Sequence, residues 1–309
     1  MRKFVNMAFS KGIASSDNTN FKRYIGVGPV RVVAVNPNAA EIQAIYDRQE
    51  MGEEPVYLSE YEGVPTCRIH FIVKTVAEKN NGIDTTNMLR FSLRDEYAFN
   101  RDKSKVQVID DYGRTAWAVV GRDIAFNPSN EKQFKVLAVP VYANGPADIA
   151  AKFRPMYRGE EALEEFIRTQ LNLPLTQKYV NGVWEAKTGA ELEECIGCLE
   201  KIDSYFKGDF SELKELMTYQ PNNAVTLAFG VKTADDGKQY TDFYTGMFLS
   251  GNAKKYDRLE KAIKADKELG RWPNTEFEVC PLKEYTVSAT VVGDMPADIA
   301  QPEANNNWF

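Results

Sequence analysis

Histidine occurs once in this sequence, as His70, and cysteine only four times, at Cys67, Cys195, Cys198 and Cys280. One histidine leaves a single general base of the commonest kind. Nothing near it forms a G-x-S-x-G nucleophile turn, so Ser-His-Asp and Cys-His chemistry lack their parts. Four cysteines spread over 309 residues do not make a disulfide framework, and they point to a reducing, cytoplasmic setting. No run of 18 uncharged apolar residues is present, which excludes a membrane-spanning helix. The opening MRKFVNMAFSKG has bases but only a short, interrupted apolar stretch, so no secretory leader is expected. A G-x-x-x-x-G-K-[ST] phosphate loop is also missing. Gly26-Val27-Gly28 runs straight into Pro29, which has no amide to offer a phosphate.

The composition that is present, 43% hydrophobic and 27% charged, is that of a globular chain able to bury a substantial core. The net charge of −6 is unevenly placed. Residues 159–217 hold 13 acids and 6 bases, a net of −7, which leaves 31 acids and 32 bases for the other 250 residues. Residues 1–31 hold 6 bases against the single acid Asp17. The acidic total therefore does not exclude a polyanionic partner, because local basic stripes survive within it.

Residues 1–24 are polar and basic and read as a flexible arm. Over 25–158 the runs VGPVRVVAVN, TCRIHFIVKTV, NMLRFSLRD, RTAWAVVG and FKVLAVPVYAN are rich in Val, Ile and Phe and are separated by turn residues, which predicts strands. Between 159 and 217 the period becomes helical. Leu163, Phe166, Ile167 and Leu171 recur at helical spacing, and AELEECIGCLEKIDSYF repeats the pattern with Leu192, Cys195, Ile196, Leu199 and Ile202. Residues 218–292 return to strands: AVTLAFGVKT and QYTDFYTGMFLS flank an Asp-Gly hairpin signal, and an amphipathic helix and closing strands follow. The segment 293–309 reads as a mobile tail tipped by Trp308 and Phe309. This order predicts an α+β protein with a barrel-like or sandwich-like β core, an acidic helical insert and flexible termini.

Two metal arrangements are weak. Cys67 and His70, three apart on a strand, point to opposite faces, and Cys195 lies on an apolar helical face beside Cys198, so neither pair is assigned a metal. Asp110-Asp111 and Asp235-Asp236 sit in turn sequences, where acids cap backbone amides. No catalytic set and no cofactor are expected. The informative pattern is aromatics interleaved with bases. Lys232, Lys238, Tyr240 and Tyr244 fall in one hairpin, while Lys152, Phe153, Arg154, Pro155, Met156, Tyr157 and Arg158 form another cluster without an acid. Arg90, Arg94, Lys135 and Trp117 lie on other strands and extend the surface. Bases stacking on exposed rings and cations tracking phosphates are what single-strand binding needs. Tyr240 and Tyr244 are thus expected outside the core, so that replacing both lowers affinity and spares the fold. The competing expectation is a protein–protein or structural role for the same aromatic surface.

This layout, with the stretches FRPMYRGEEALEEFIRTQLNLP and GKQYTDFYTGMF, resembles the OB-fold single-stranded-DNA-binding proteins of bacteriophage replication, in particular those of crAss-like, Bacteroides-type phages. The resemblance implies one or more OB-like barrels, non-catalytic binding of single-stranded DNA during replication or recombination, and DNA contacts from Tyr240, Tyr244, Lys238, Lys232, Arg154, Tyr157, Arg158, Lys152, Arg94 and Trp117. It also implies recruitment of replication or recombination proteins by Trp308 and Phe309, with self-association through the basic arm. The tail departs from the family pattern, because Asn305, Asn306 and Asn307 stand where such tails carry acids.

Overall fold

Most of the alternating apolar runs become strands, and their alternation decides which side each presents. The computed structural model describes residues 22–47, 55–138, 152–181, 183–218, 220 and 222–286. In chain order the first half contains β1 (Tyr24–Val35), α1 (Ala39–Tyr46), β2 (Leu58–Tyr61), β3 (Val64–Thr75), β4 (Thr86–Tyr97), β5 (Lys105–Asp110), β6 (Thr115–Val119), β7 (Ile124–Asn127) and β8 (Asn130–Val136). Next come β9 (Phe153–Pro155), β10 (Tyr157–Arg158), α2 (Glu160–Gln170), β11 (Gln177–Val180), β12 (Val183–Ala186), α3 (Ala190–Glu193), α4 (Ile202–Tyr205) and α5 (Ser211–Thr218). The chain then forms β13 (Val225–Thr233), β14 (Gln239–Ser250), α6 (Asp257–Glu268), β15 (Thr275–Phe277) and β16 (Lys283–Glu284).

The main sheet runs β10-β4-β3-β1-β13-β14, with β2 beside β3, β15 beside β13 and β16 beside β1; every pairing is antiparallel. β1 pairs with β13 over Gly26–Val30 and with β3 over Val30–Val35. Pro29 fits this central strand because the β3 ladder starts only at Val30; beyond it, the Pro29 carbonyl accepts from Val76 N–H and Asn80 Nδ2. Gly26, at φ 121, lets the 280–282 segment press against β1: an added Cβ would lie 2.8 Å from the Cys280 carbonyl oxygen. The Gly-Val-Gly-Pro stretch is therefore a crossing point of the sheet.

Curling is visible in the ring contacts. Phe91 on β4 and Phe248 on β14 stand 6.1 Å apart, although three strands separate β4 from β14. Strands about 4.8 Å apart would hold these rings at roughly 19 Å in a flat sheet. The result is a curled antiparallel half-barrel in which β4 and β14 face each other and run parallel. Helix α2 fills the opening between them, with Phe166 4.9 Å from Phe71, 5.2 Å from Phe91 and 5.3 Å from Phe248. Glu165 accepts from the Phe248 N–H, a donor on the open edge of β14. Phe71, Leu89, Phe91, Leu93, Phe166 and Phe229 thus share one core, and residues 159–217 supply a wall of it.

Elsewhere the elements differ from expectation for physical reasons. The long helix expected over AELEECIGCLEKIDSYF is only two single turns, α3 and α4. Gly197 N–H bonds the Asp111 carbonyl and Cys198 N–H bonds the Glu164 carboxylate, so neither continues a helical ladder. Ile196, expected on the apolar face, is exposed. The segment also holds the β11–β12 hairpin, which turns at Asn181 with φ 48. The strand expected over FKVLAVPVYAN ends at Val136, and residues 139–151 lie outside the described residues. β5, β6 and β9 form a separate three-stranded sheet, and β7 and β8 a hairpin.

Candidate nucleic-acid interface

Helix α6 returns across the side of β13 and β14 turned away from the main core. Leu259 and Ile263 pack there with Val27, Ala228, Tyr244 and Phe277. This corrects the expectation for Tyr244. Its ring is 1% exposed, lies 5.8 Å from both Trp272 and Phe277, and its hydroxyl donates to Asp266 at 2.8 Å. Phe243 and Tyr244 point to opposite faces as the strand requires, but both faces are covered. Tyr157 is also buried, between the rings of Tyr97 and Phe206, and donates its hydroxyl to Asp203. Arg154 is a strut: it forks onto Glu160 at 2.6 and 3.0 Å and bonds the Leu199 carbonyl at 2.9 Å. None of these three lines an open surface.

The remaining expected residues fall into separate places. Arg94 and Arg158 meet on adjacent strands and share Glu96, at 2.9 and 3.0 Å. Lys232 and half-buried Tyr240 are cross-strand neighbours, and Lys238 pairs with Asp236 at 3.1 Å in the hairpin turn. Trp117 is 46% exposed, but on the separate three-stranded sheet, opposite Gln107. Lys152 is exposed just before β9. Trp308, Phe309 and residues 1–21 lie outside the described residues.

Alternation along β3 and β4 builds a basic face that the sequence pattern only partly suggested. Cys67, Ile69, Phe71 and Val73, with Leu89, Phe91 and Leu93, turn into the core. The intervening residues turn to the other side in register: Thr66 opposite Arg94, Arg68 opposite Ser92, His70 opposite Arg90, Ile72 opposite Met88 and Lys74 opposite Thr86, with Thr66, His70 and Ile72 buried there. Arg31 on β1 joins beside Lys74. Lys74 pairs with Asp84 at 3.2 Å and Arg94 with Glu96, but Arg31, Arg68 and Arg90 make no ion pair among the described residues.

The cations perturb one another. Burial pulls the Arg90 guanidinium below its ordinary value and Arg68 adds to this, whereas Asp242 acts the other way. His70, 3% exposed, is pushed down to about 4 by burial, then by Arg90 and Arg68. It is therefore neutral at ordinary pH, its ring edge-on to Tyr57 at 5.4 Å. Arg31, Arg68 and Lys74 were missed from the sequence, and Arg90 was only an outlying candidate. The available signal was the alternation of Thr66, Arg68, His70 and Lys74 in TCRIHFIVK, which Ile72 interrupts.

The other candidate chemistry is structural. Asp110 accepts from Arg114 Nε at 2.5 Å and from the Tyr112 and Arg114 amides, and Asp236 accepts from the Lys238 amide, so both acid pairs hold turns. Burial pushes the Cys67 thiol up to about 12 and raises Cys198 further, with Glu164 adding to the latter. No group of three His, Cys, Asp or Glu side chains suited to a metal occurs among the described residues.

No family model, curated protein or solved structure matches the chain.

Proposed function

We propose that the chain binds single-stranded DNA, without catalysis, on the outer face of β3 and β4, and that its curled sheet is an OB-type barrel. The observation that carries this is the pair Arg68 and Arg90: two outward cations on adjacent strands that make no ion pair among the described residues. Unmatched guanidiniums gain most from a phosphate, which they can grip through parallel hydrogen bonds. The topology supports the fold assignment. The strands β1, β3, β4, β13 and β14 stand in the order β4-β3-β1-β13-β14, and α2 comes between β4 and β13 in the chain and under the barrel opening in space. In OB-type barrels the face of the second and third strands is the one that takes oligonucleotides, and here those strands are β3 and β4.

In this reading the protein coats exposed strands during replication or recombination. Recruitment of partners through Trp308 and Phe309, and self-association through residues 1–24, are parts of the same proposal. Exposed Trp117, Phe134, Val136 and Leu137 favour a second reading, a protein interface away from this face. Anisotropy of a labelled oligo-dT at low salt separates the two. Binding that weakens with salt, and that falls at least about tenfold in Arg68→Ala/Arg90→Ala, supports the first, since a charged hydrogen bond is worth roughly 1.5–3 kcal/mol. No binding at low salt removes it.

A further inference from the structure

We propose that Tyr61 is a stacking platform for one unpaired base, at the end of the track whose phosphates Arg68 and Arg90 hold. This rests on the single-strand reading and divides the labour within it. Tyr61 closes β2 opposite Val64, which places it on the same outer face as Thr66 and Arg94. Its ring is 55% exposed. One side of the ring is backed by Arg94, whose guanidinium carbon lies 4.9 Å from the ring centroid. The turn that follows is tight, with Glu62 at φ 51 and Gly63 at φ 80, the left-handed pair of a two-residue hairpin loop. The platform therefore sits at the end of a short hairpin, and little order has to be gained when a ligand arrives.

Charge separates the two kinds of contact. Arg94 is already matched, by Glu96 at 2.9 Å and by Glu62 at 3.6 Å, so a phosphate gains little beside it. A flat, uncharged base gains stacking area on the open side of the ring. Arg68 and Arg90 are the opposite case, cations that make no close ion pair among the described residues, with Asp242 acting on Arg90 only through its field. Arg94 and Arg90 lie four residues apart on β4, roughly 13 Å, so the ring and the phosphate-holding pair are within reach of one short segment of strand. Tyr157 and Tyr244 are buried and Tyr240 is half-buried, so none of them presents a comparable open ring.

The test compares oligo-dT with an abasic oligonucleotide of the same length, using the full chain. Tyr61→Ala should weaken oligo-dT binding by roughly 5- to 150-fold, the range for one lost base stack, and leave the abasic strand nearly unaffected. Tyr61→Phe should keep most of the wild-type affinity, since the ring and not the hydroxyl does the work. Unchanged thermal melting of both variants keeps the comparison free of folding effects. If Tyr61→Ala binds oligo-dT like wild type while Arg68→Ala/Arg90→Ala has lost it, the platform is wrong and the single-strand reading stands. Equal loss on both oligonucleotides also overturns the platform. If the wild type binds neither at low salt, the single-strand reading fails and the platform with it.

Discussion

His70 is buried opposite Arg90, two residues from Arg68 and beside a tyrosine ring, and its imidazole stays neutral until the pH falls to about 4. In the unfolded chain a histidine takes its proton near 6.5. Above 6.5 neither state is protonated and stability is full. As pH falls from 6.5 toward 4 the unfolded chain binds the proton and the fold does not, so stability is lost, by up to about 3 kcal/mol at 1.36 kcal/mol per unit. Denaturant titrations of wild type and His70→Asn at pH 7 and pH 5 should diverge, with the larger acid loss in wild type; identical losses would show that His70 does not titrate in this way. Tyr244 carries the second residue-scale expectation. Tyr244→Ala should cost about 3–5 kcal/mol, as for other large core aromatics, and Tyr244→Phe about 1 kcal/mol for the bond to Asp266. Tyr240→Ala should cost far less, because its ring is half-exposed. Urea midpoints decide between them, and a harmless Tyr244→Ala would return that ring to the surface.

The junction into α2 turns on Glu160, which is fully buried and holds Arg154 and the Tyr157 amide. Removing Arg154 leaves a buried carboxylate without its cation, which costs about 3–5 kcal/mol. Arg154→Met alone should therefore be severely destabilised, and Arg154→Met/Glu160→Met should recover most of the loss; circular-dichroism melting of both tests this. If Arg154→Met is stable but binds DNA poorly, the strut assignment is wrong. At this scale, periodicity found α2 and α6, because each has one apolar face and one core to meet. It failed at α3 and α4, where the spacing of Leu192, Cys195 and Leu199 is helical but the amides of Gly197 and Cys198 bond to distant acceptors. The β11–β12 hairpin was missed, although Asn181-Gly182 is a strong two-residue turn signal.

On the scale of the molecule, a basic face on a protein of net charge −6 should give a short phosphate track. If Arg31, Arg68 and Arg90 each meet one phosphate, the plot of log affinity against log salt should slope by about −2, at roughly −0.7 per phosphate of a single strand. Arg68→Ala/Arg90→Ala should flatten it by about 1.4; an unchanged slope would move the track elsewhere. The β-rich α+β class, the core positions of β3 and β4 and the hairpin at Asp236-Gly237 follow from local pattern, since alternation and turn chemistry act over a few residues. Which outward residues stay open does not. Tyr244 and Arg90 both alternate out of the main core, yet α6 folds back over Tyr244 while Arg90 stays exposed and makes no ion pair among the described residues. Burial on the second face of a strand depends on a helix that arrives from elsewhere in the chain. The surface that this leaves free is therefore a property of the tertiary fold and not of the strand.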